Sequence, residues 1–244
     1  EHLQVIKTCI DVAHGDTLVI AGTGANSTAE ALSLTKSADQ AGADAFLLVA
    51  PYYNKPSQEG LMAHFSALAE ATEKPIVLYS IPSRCGIEIS TDTVCRLRDK
   101  FPHVVALKEA GGRSAKVSET ISKIDRDFVV LSGDDGLTLP FMSCGAQGVV
   151  SVASNLVPEI VLELVNHALK GDYLKAREIH LSNYNLFTDL FCEPNPVPVK
   201  ILMQLAGMIE SAEVRLPLTP PSASNLDLLK EIASKIHLPE GVCR

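Results

Sequence analysis

Residues 104–110 read VVALKEA, and this stretch sets the fold class with which the rest of the sequence must agree. The run from Val104 to Leu107 is apolar without interruption and rich in β-branched residues, which is typical of a strand buried on both faces of a parallel sheet. Lys108 follows at the end of this strand. Its side chain is either a surface lysine whose aliphatic stem covers apolar groups, or a desolvated amine that acts as a nucleophile. The stretch alone leaves both interpretations open.

Five similar apolar runs recur along the chain at intervals of 20 to 30 residues. Helical patterns lie between most of them, and Ser27 with Glu30 forms a capping box at the start of one helix. Strands that alternate with helices predict right-handed βαβ units and a parallel sheet, which is the α/β class. The five runs are TLVIAG from residue 17, AFLLVAP from 45, PIVLYSIP from 75, FVVLSGDD from 128 and GVVSVAS from 148.

The strand signal ends near residue 158, and only helical patterns follow. We therefore expect strand-bearing residues 1–158 and helical residues 159–244, packed together as one structural unit. About six strands are too few to close a (β/α)₈ barrel. An open doubly wound sheet would carry a Gly-rich phosphate loop, but the nearest candidate, GTGANS from Gly22, lacks the third glycine. The predicted C-terminal helices are 160–169, 173–189, 198–208 and 226–236, the last opened by Ser224 and Asp227.

Composition narrows the class of partner. The 244 residues are 46% hydrophobic with a net charge of −8, which disfavours nucleic acids and anionic membranes because both require a basic face. No apolar run approaches the length of about 18 residues that a membrane span needs. Six cysteines are spread singly, so we expect reduced thiols in a soluble, cytosol-like setting and neither zinc nor a disulfide framework. They are Cys9, Cys85, Cys95, Cys144, Cys192 and Cys243.

The carboxyl ends of the strands carry the candidate functional groups, since the active sites of (β/α) barrels lie there. Lys108 supplies an amine for imine formation, and Tyr79 on the neighbouring strand supplies a phenol for proton transfer, or else is a core tyrosine. Arg84 follows a Pro-Ser corner and is either a bidentate clamp for a carboxylate or a surface arginine. Two adjacent carboxylates, Asp134 and Asp135, lack a third ligand and are interpreted as a helix cap rather than a metal site.

Several stretches together resemble the dihydrodipicolinate synthase family, which belongs to the class I pyruvate aldolases with N-acetylneuraminate lyase. They occur in the family's order and cover essentially the whole chain. They are AGTGANSTAEA, PYYNKPSQEGL, LYSIPSRCG, LKEAGG, LSGDD, GVVSVASN, EPNPVPVK and LPLTPP.

The resemblance implies a TIM (β/α)₈ barrel with a C-terminal helical extension, of which residues 1–158 would be the barrel portion. It also implies that pyruvate forms a Schiff base on Lys108 and that the resulting enamine attacks aspartate semialdehyde. The product would be 4-hydroxy-tetrahydrodipicolinate, an intermediate of lysine biosynthesis. No cofactor is implied beyond the covalent pyruvate–lysine imine. The expected location is the cytoplasm, or a plastid if a transit peptide preceded the chain.

The same resemblance assigns roles to further residues. Tyr79 corresponds to the proton-relay tyrosine, and Arg84 to the arginine that binds the carboxylate of the aldehyde substrate. Tyr53 corresponds to a tyrosine that reaches into the site of a neighbouring subunit, which implies a homodimer or homotetramer. The backbone carbonyls of Gly133 and Val150 are expected to line the pyruvate pocket.

A lysine-feedback site is also implied, formed by Asn26, Glu30 and Tyr52 with His2 as a fourth member. The plainer interpretation of Asn26 and Glu30 is a loop and a capping box.

Three departures from the family pattern leave alternatives open. Ser80 and Cys85 replace the usual Asn and Thr, and the Gly-Thr-Thr-Gly-Glu loop that binds the pyruvate carboxylate does not occur in this sequence. We therefore expect an N-terminally truncated barrel that lacks two βα units, on the order of 55 residues ahead of Glu1. The alternatives are a sialic-acid or keto-deoxy sugar-acid lyase, or a non-catalytic relative that acts as a binding or regulatory protein.

Overall fold

A computed structural model describes residues 1–13 and 15–236 of the chain; Cys243 lies outside these ranges. Within them the strands are β1 Ile20–Gly22, β2 Ala45–Val49, β3 Ile76–Ser80, β4 Val104–Glu109, β5 Val129–Ser132 and β6 Gly148–Val149. The α-helices are α1 His2–Ala13, α2 Thr28–Ala41, α3 Gln58–Ala69, α4 Pro82–Cys85, α5 Thr91–Lys100, α6 Ser114–Lys123, α7 Thr138–Ser143, α8 Pro158–Leu169, α9 Tyr173–Ser182, α10 Tyr184–Asp189, α11 Val197–Leu205 and α12 Ala223–Lys235.

The strands form one sheet in chain order, β1-β2-β3-β4-β5-β6. Neighbours from β1 to β4 pair in parallel, with Phe46 opposite Ile76 and Leu78 opposite Leu107. A helix lies between most successive strands, as βαβ connections require. The α/β class, the parallel sheet and all six predicted strand positions are therefore confirmed.

The central strands are buried on both faces, which explains their uninterrupted apolar runs. Leu48, Leu78 and Leu107 are fully buried on one face, and Val77 and Ala106 are buried on the other. Tight packing at the sheet also selects Gly24, since a Cβ there would lie 2.4 Å from the backbone nitrogen of Val49. Only glycine lets the chain after β1 approach β2 this closely.

Helix caps follow from short polar signals in the sequence. The Ser27 side chain caps α2 by accepting a hydrogen bond from the Glu30 N–H, as the predicted capping box requires. At the other end of α2, Gly42 adopts φ 100°, and its N–H donates to the carbonyls of Ala38 and Asp39. Glycine terminates helices in this way because the left-handed conformation carries no Cβ penalty.

The prediction of one continuous helix over residues 173–189 was wrong. The segment is divided into α9 and α10 at Asn183, whose side-chain amide donates to the Ile179 carbonyl. Other boundaries differ as well: α8 begins at Pro158 rather than at residue 160, and α11 ends at Leu205 rather than at residue 208. Helix α12 begins at Ala223, with Ser222 rather than Ser224 or Asp227 as its cap. The break at Asn183 and the start of α12 are set by local hydrogen bonds between side chains and backbone, to which helical periodicity is insensitive.

The described residues separate into two compact units, one within 1–131 together with 144–147 and one formed by 132–143 with 148–236. The first contains most of the sheet with α1 to α6, and the second contains helices α7 to α12. The expected boundary at residue 158 remains a prediction. None of the described helices combines the length and apolar character needed to cross a bilayer.

Leu78→Ala should lower the free energy of unfolding by about 2–5 kcal/mol, because it removes buried methyl groups and leaves a cavity on one face of the sheet. Val12→Ala, on a side chain that is 73% exposed, is the control and should change it by less than about 0.5 kcal/mol. Urea unfolding of both variants measures the difference. Equal losses would show that β3 is not part of the core.

Candidate active site

Tyr79 and Lys108 occupy paired positions at the carboxyl ends of β3 and β4. Because parallel strands in register present paired residues on the same face, the two side chains meet. The Lys108 Nζ lies over the Tyr79 ring, 4.0 Å from its centroid. Both residues are half-buried, so the sheet edge shields them without closing them off. Strand β4 continues through Glu109, one residue beyond the predicted end at Lys108.

The Tyr79 phenol is held in its protonated form. Burial raises its pKa above the ordinary 10.0, and the positive charge of Arg84 opposes part of this rise. A phenol that keeps its proton at neutral pH can donate to an oxygen atom that develops negative charge nearby. The structure thus brings together an amine and a proton donor, with a cation within electrostatic range.

Arg84 lies in the short helix α4, whose two ends are fixed by a proline and a glycine. Pro82 stands in its first turn, and Gly86 ends it at φ 73°. Arg84 is exposed in the last turn, whereas Cys85 is buried with its thiol donating to the Ala50 carbonyl. Burial raises the pKa of the Cys85 thiol, which keeps it protonated and disfavours a nucleophilic role.

Tyr53 lies on the loop after β2 and is not packed onto the Tyr79–Lys108 pair. Its side chain is 89% exposed, and its backbone adopts φ 72°. A bulky residue in the left-handed region is strained, and such strain persists where the surrounding structure fixes it. The Tyr53 ring is therefore presented to solvent by a constrained backbone.

Gly133 and Val150 lie in the second unit, each just after a strand. The Val150 N–H donates to the Ser132 carbonyl at 2.8 Å. Asp134 accepts from the Leu137 N–H and caps a short 3₁₀ helix, Asp135–Leu137, so the interpretation as a cap is confirmed for Asp134. It was wrong for Asp135, whose carboxylate accepts from the Ser151 hydroxyl and from the Val152 and Ala153 N–H groups. Among the described residues, no group of three or more His, Cys, Asp or Glu side chains is placed to hold a metal ion.

A model of the dihydrodipicolinate synthetase family matches residues 1–236. This chain belongs to that family. A curated relative, the 4-hydroxy-tetrahydrodipicolinate synthase of Sulfurihydrogenibium sp., is 49% identical over 238 residues, which cover 98% of this chain and 81% of the relative.

Solved structures of the family agree with the fold. The 4-hydroxy-tetrahydrodipicolinate synthase from Methylacidiphilum fumariolicum SolV matches with a TM-score of 0.94 and 50% identity, over 96% of this chain and 78% of that one. The enzyme from Cyanidioschyzon merolae, solved with lysine bound, matches with a TM-score of 0.92 and 40% identity, over 96% of this chain and 80% of that one. These names favour neither the sugar-acid lyase nor the non-catalytic alternative.

The residues that the family resemblance assigns to lysine feedback all lie in the first unit. The His2 Nε2 forms a 2.8 Å hydrogen bond with the Gly22 carbonyl, and the Asn26 carbonyl accepts from the Asn54 side chain at 2.9 Å. Glu30 is exposed in the first turn of α2, and Tyr52 is 42% exposed. Asn26 and Glu30 therefore follow β1 along the chain, Tyr52 follows β2, and the His2 side chain contacts the end of β1.

Glu109 is a buried acid whose importance the sequence analysis missed. Its side chain is fully buried, its Oε1 accepts from the Gly111 N–H at 2.6 Å, and its Oε2 has no hydrogen-bond partner among the described residues. Burial raises the pKa of the Glu109 carboxyl, although the charge of Lys116 opposes this. The sequence signal that could have indicated its burial is strand alternation, which places Glu109 on the opposite face of the sheet from Lys108.

Glu109 should make the protein less stable as pH rises. The folded state holds the Glu109 proton more tightly than the unfolded chain, so the free energy of unfolding falls from about the ordinary pKa of 4.5 up to the raised value. Glu109→Gln removes this decline. Urea unfolding of both proteins across a pH series measures it, and parallel curves would contradict the raised pKa.

Glu119→Gln is the matched control on an exposed carboxyl. Lys123 lowers the pKa of Glu119, so its contribution is present above the ordinary value and is lost as pH falls. The two substitutions should therefore change the pH dependence in opposite directions.

Proposed function

We propose that this protein is an enzyme that condenses pyruvate with aspartate semialdehyde to give 4-hydroxy-tetrahydrodipicolinate. The observation that carries the proposal is the Lys108 amine over the Tyr79 ring, at the carboxyl ends of paired strands. Membership in the dihydrodipicolinate synthetase family supports the choice of reaction. The reaction requires no cofactor, since the carbonyl group of pyruvate becomes the electron sink once it is bound to the lysine.

Lys108 is the nucleophile in the first step. Its neutral amine attacks C2 of pyruvate to form a carbinolamine, and loss of water then leaves a C=N bond between Nζ and C2. The two hydrogens of the departing water come from the amine, carried to the carbonyl oxygen by proton transfer. The Tyr79 phenol is the proposed carrier, because it lies beside the amine and keeps its proton at neutral pH.

The second step forms the new carbon–carbon bond. The imine nitrogen takes up a proton and C3 loses one, which converts the imine into an enamine. Its C3 attacks the aldehyde carbon, the C=N bond forms again, and the proton on nitrogen passes to the aldehyde oxygen. The amino group of the second substrate then closes the ring at C2 and releases the Lys108 amine. Arg84 is proposed to bind the carboxylate of aspartate semialdehyde through its planar, bidentate guanidinium.

The remaining assignments are proposed on the family resemblance. The six strands correspond to six strands of a (β/α)₈ barrel, and Gly133 and Val150 provide backbone carbonyls for pyruvate. The exposed Tyr53 extends into the site of a second subunit of a homodimer or homotetramer, which its constrained, solvent-facing position supports. The proposed location is the cytoplasm.

Lysine is proposed as an inhibitor that binds at His2, Asn26, Glu30 and Tyr52. The lysine-bound structure of the Cyanidioschyzon merolae relative supports this ligand. Glu30 supplies a carboxylate that is exposed and therefore available to an ammonium group.

Lys108→Ala should abolish the pyruvate adduct that borohydride traps, because it removes the amine that forms the imine beside Tyr79. Intact mass followed by peptide mapping detects the adduct on the wild-type chain. Lys100→Ala, which removes an exposed lysine at the end of α5, should form the adduct at the wild-type rate. An adduct that persists in Lys108→Ala would reject the mechanism.

Arg84→Ala should raise KM for aspartate semialdehyde by about 10- to 100-fold, the loss expected for a charged hydrogen-bonded pair. KM for pyruvate should change much less, since pyruvate binds first and without this contact. Arg96→Ala, which removes an exposed guanidinium paired with Glu59, is the control for a general loss of positive charge. Steady-state kinetics with each substrate varied in turn measures both constants, and equal effects would argue against the clamp.

A further inference from the structure

Two polar side chains on one face of β3 and β4 belong to a group of residues linked by hydrogen bonds that the proposed reaction does not use. Successive residues of a strand point to opposite faces, so Ser80 and Glu109 face away from Tyr79 and Lys108. Ser80 and Glu109 are paired in register and are both fully buried. The group consists of Ser80, Glu88, Ile89, Glu109, Gly111 and Lys116.

Glu109 fixes the turn that ends β4. Its Oε1 accepts a 2.6 Å hydrogen bond from the N–H of Gly111, two residues further along the chain. A Cβ on Gly111 would lie 2.5 Å from that same oxygen. The carboxyl group therefore fills the space that a larger residue at position 111 would occupy, and the two positions fit each other closely.

Lys116 connects the strand ends to the helix layer. It is only 4% exposed, and its Nζ donates to the Glu88 carboxylate at 2.8 Å and to the Ile89 carbonyl at 2.5 Å. The Ile89 N–H in turn donates to the Ser80 hydroxyl at 3.3 Å.

The two strand ends are also joined directly. The Ala110 N–H donates to the Ser80 carbonyl at 2.9 Å. The residues that follow Tyr79 and Lys108 are thus tied to one another and to a buried ammonium group.

We propose that Glu109 is a positioning residue for Lys108: by holding the Gly111 turn, it fixes the end of β4 and hence the distance of the Lys108 amine from the Tyr79 phenol. Glu109 lies on the opposite face of the strand and does not touch substrate. Its effect passes through the backbone of residues 108–111. The inference rests on the proposed function, since it concerns the rate at which Lys108 forms the imine.

The electrostatic surroundings suit a buried carboxyl in this role. Lys116 from α6 and Arg113 just before it attract the Glu109 carboxylate, and Glu88 from the segment before α5 repels it. Glu88 is itself paired with both cations, at 2.8 Å to Lys116 and 2.7 Å to Arg113. Glu109 is therefore kept in place chiefly by the Gly111 hydrogen bond and by packing. A neutral isostere should accordingly replace it.

The test measures the rate constant of pyruvate imine formation by borohydride trapping over time, together with the melting temperature. Glu109→Ala should slow imine formation by about 10-fold or more, as expected when a reacting group is displaced by up to about 1 Å. Glu109→Gln keeps an oxygen for the Gly111 N–H and should stay within about threefold of wild type. Thr120→Val is the matched control, because it removes a buried hydrogen bond between α6 and Thr91 on α5 and leaves the Glu109–Gly111 contact in place.

Gly111→Ala tests the same contact from its other side and serves if Glu109→Ala does not fold. Its methyl group displaces the Glu109 carboxyl, so it should slow imine formation as Glu109→Ala does. The proposal is overturned if these variants form the imine as fast as Thr120→Val at temperatures where all are folded. It is also overturned if Glu109→Gln is as slow as Glu109→Ala. Absence of any adduct on the wild-type chain would instead reject the proposed function.

Discussion

The parallel pairing of β3 with β4 is the constraint on which the candidate site depends. Its register sets Tyr79 opposite Lys108, and the two side chains meet because paired residues of parallel strands share a face. A shift of one residue in either strand would turn one of these side chains toward the helices. The apolar residues that precede them, which include the fully buried Leu78 and Leu107, fix this register because they must face the core.

The same pairing places polar groups on the opposite face, where burial makes any polar atom without a hydrogen bond costly. Glu109 has one carboxyl oxygen bonded and the other without a partner among the described residues, and burial raises its pKa. Such a group lowers stability, so its presence requires another reason. Its contact with the turn after Lys108 provides that reason.

Asp135 shows what a fully satisfied buried acid looks like in this protein. Its two oxygens accept from the Ser151 hydroxyl and from the N–H groups of Val152 and Ala153, so the carboxyl secures the backbone after β6. Burial still raises the pKa of Asp135, although these hydrogen bonds oppose the rise. Both acids thus organise backbone beside a strand end, but only Glu109 does so with half of its hydrogen-bonding capacity.

The sequence by itself determined the fold class, all six strand positions, the cap of α2 and the residues that carry the candidate chemistry. These features depend on local patterns: apolar runs, capping residues and polar side chains at strand ends. It did not determine the break at Asn183, the cap of α12 or the role of Glu109. The break and the cap depend on local hydrogen bonds between side chains and backbone, whereas the role of Glu109 depends on its burial and on charges distant in sequence, such as Lys116. Only tertiary structure decides the role of Glu109, because the energy of a buried polar group is set by its partners rather than by its neighbours in sequence.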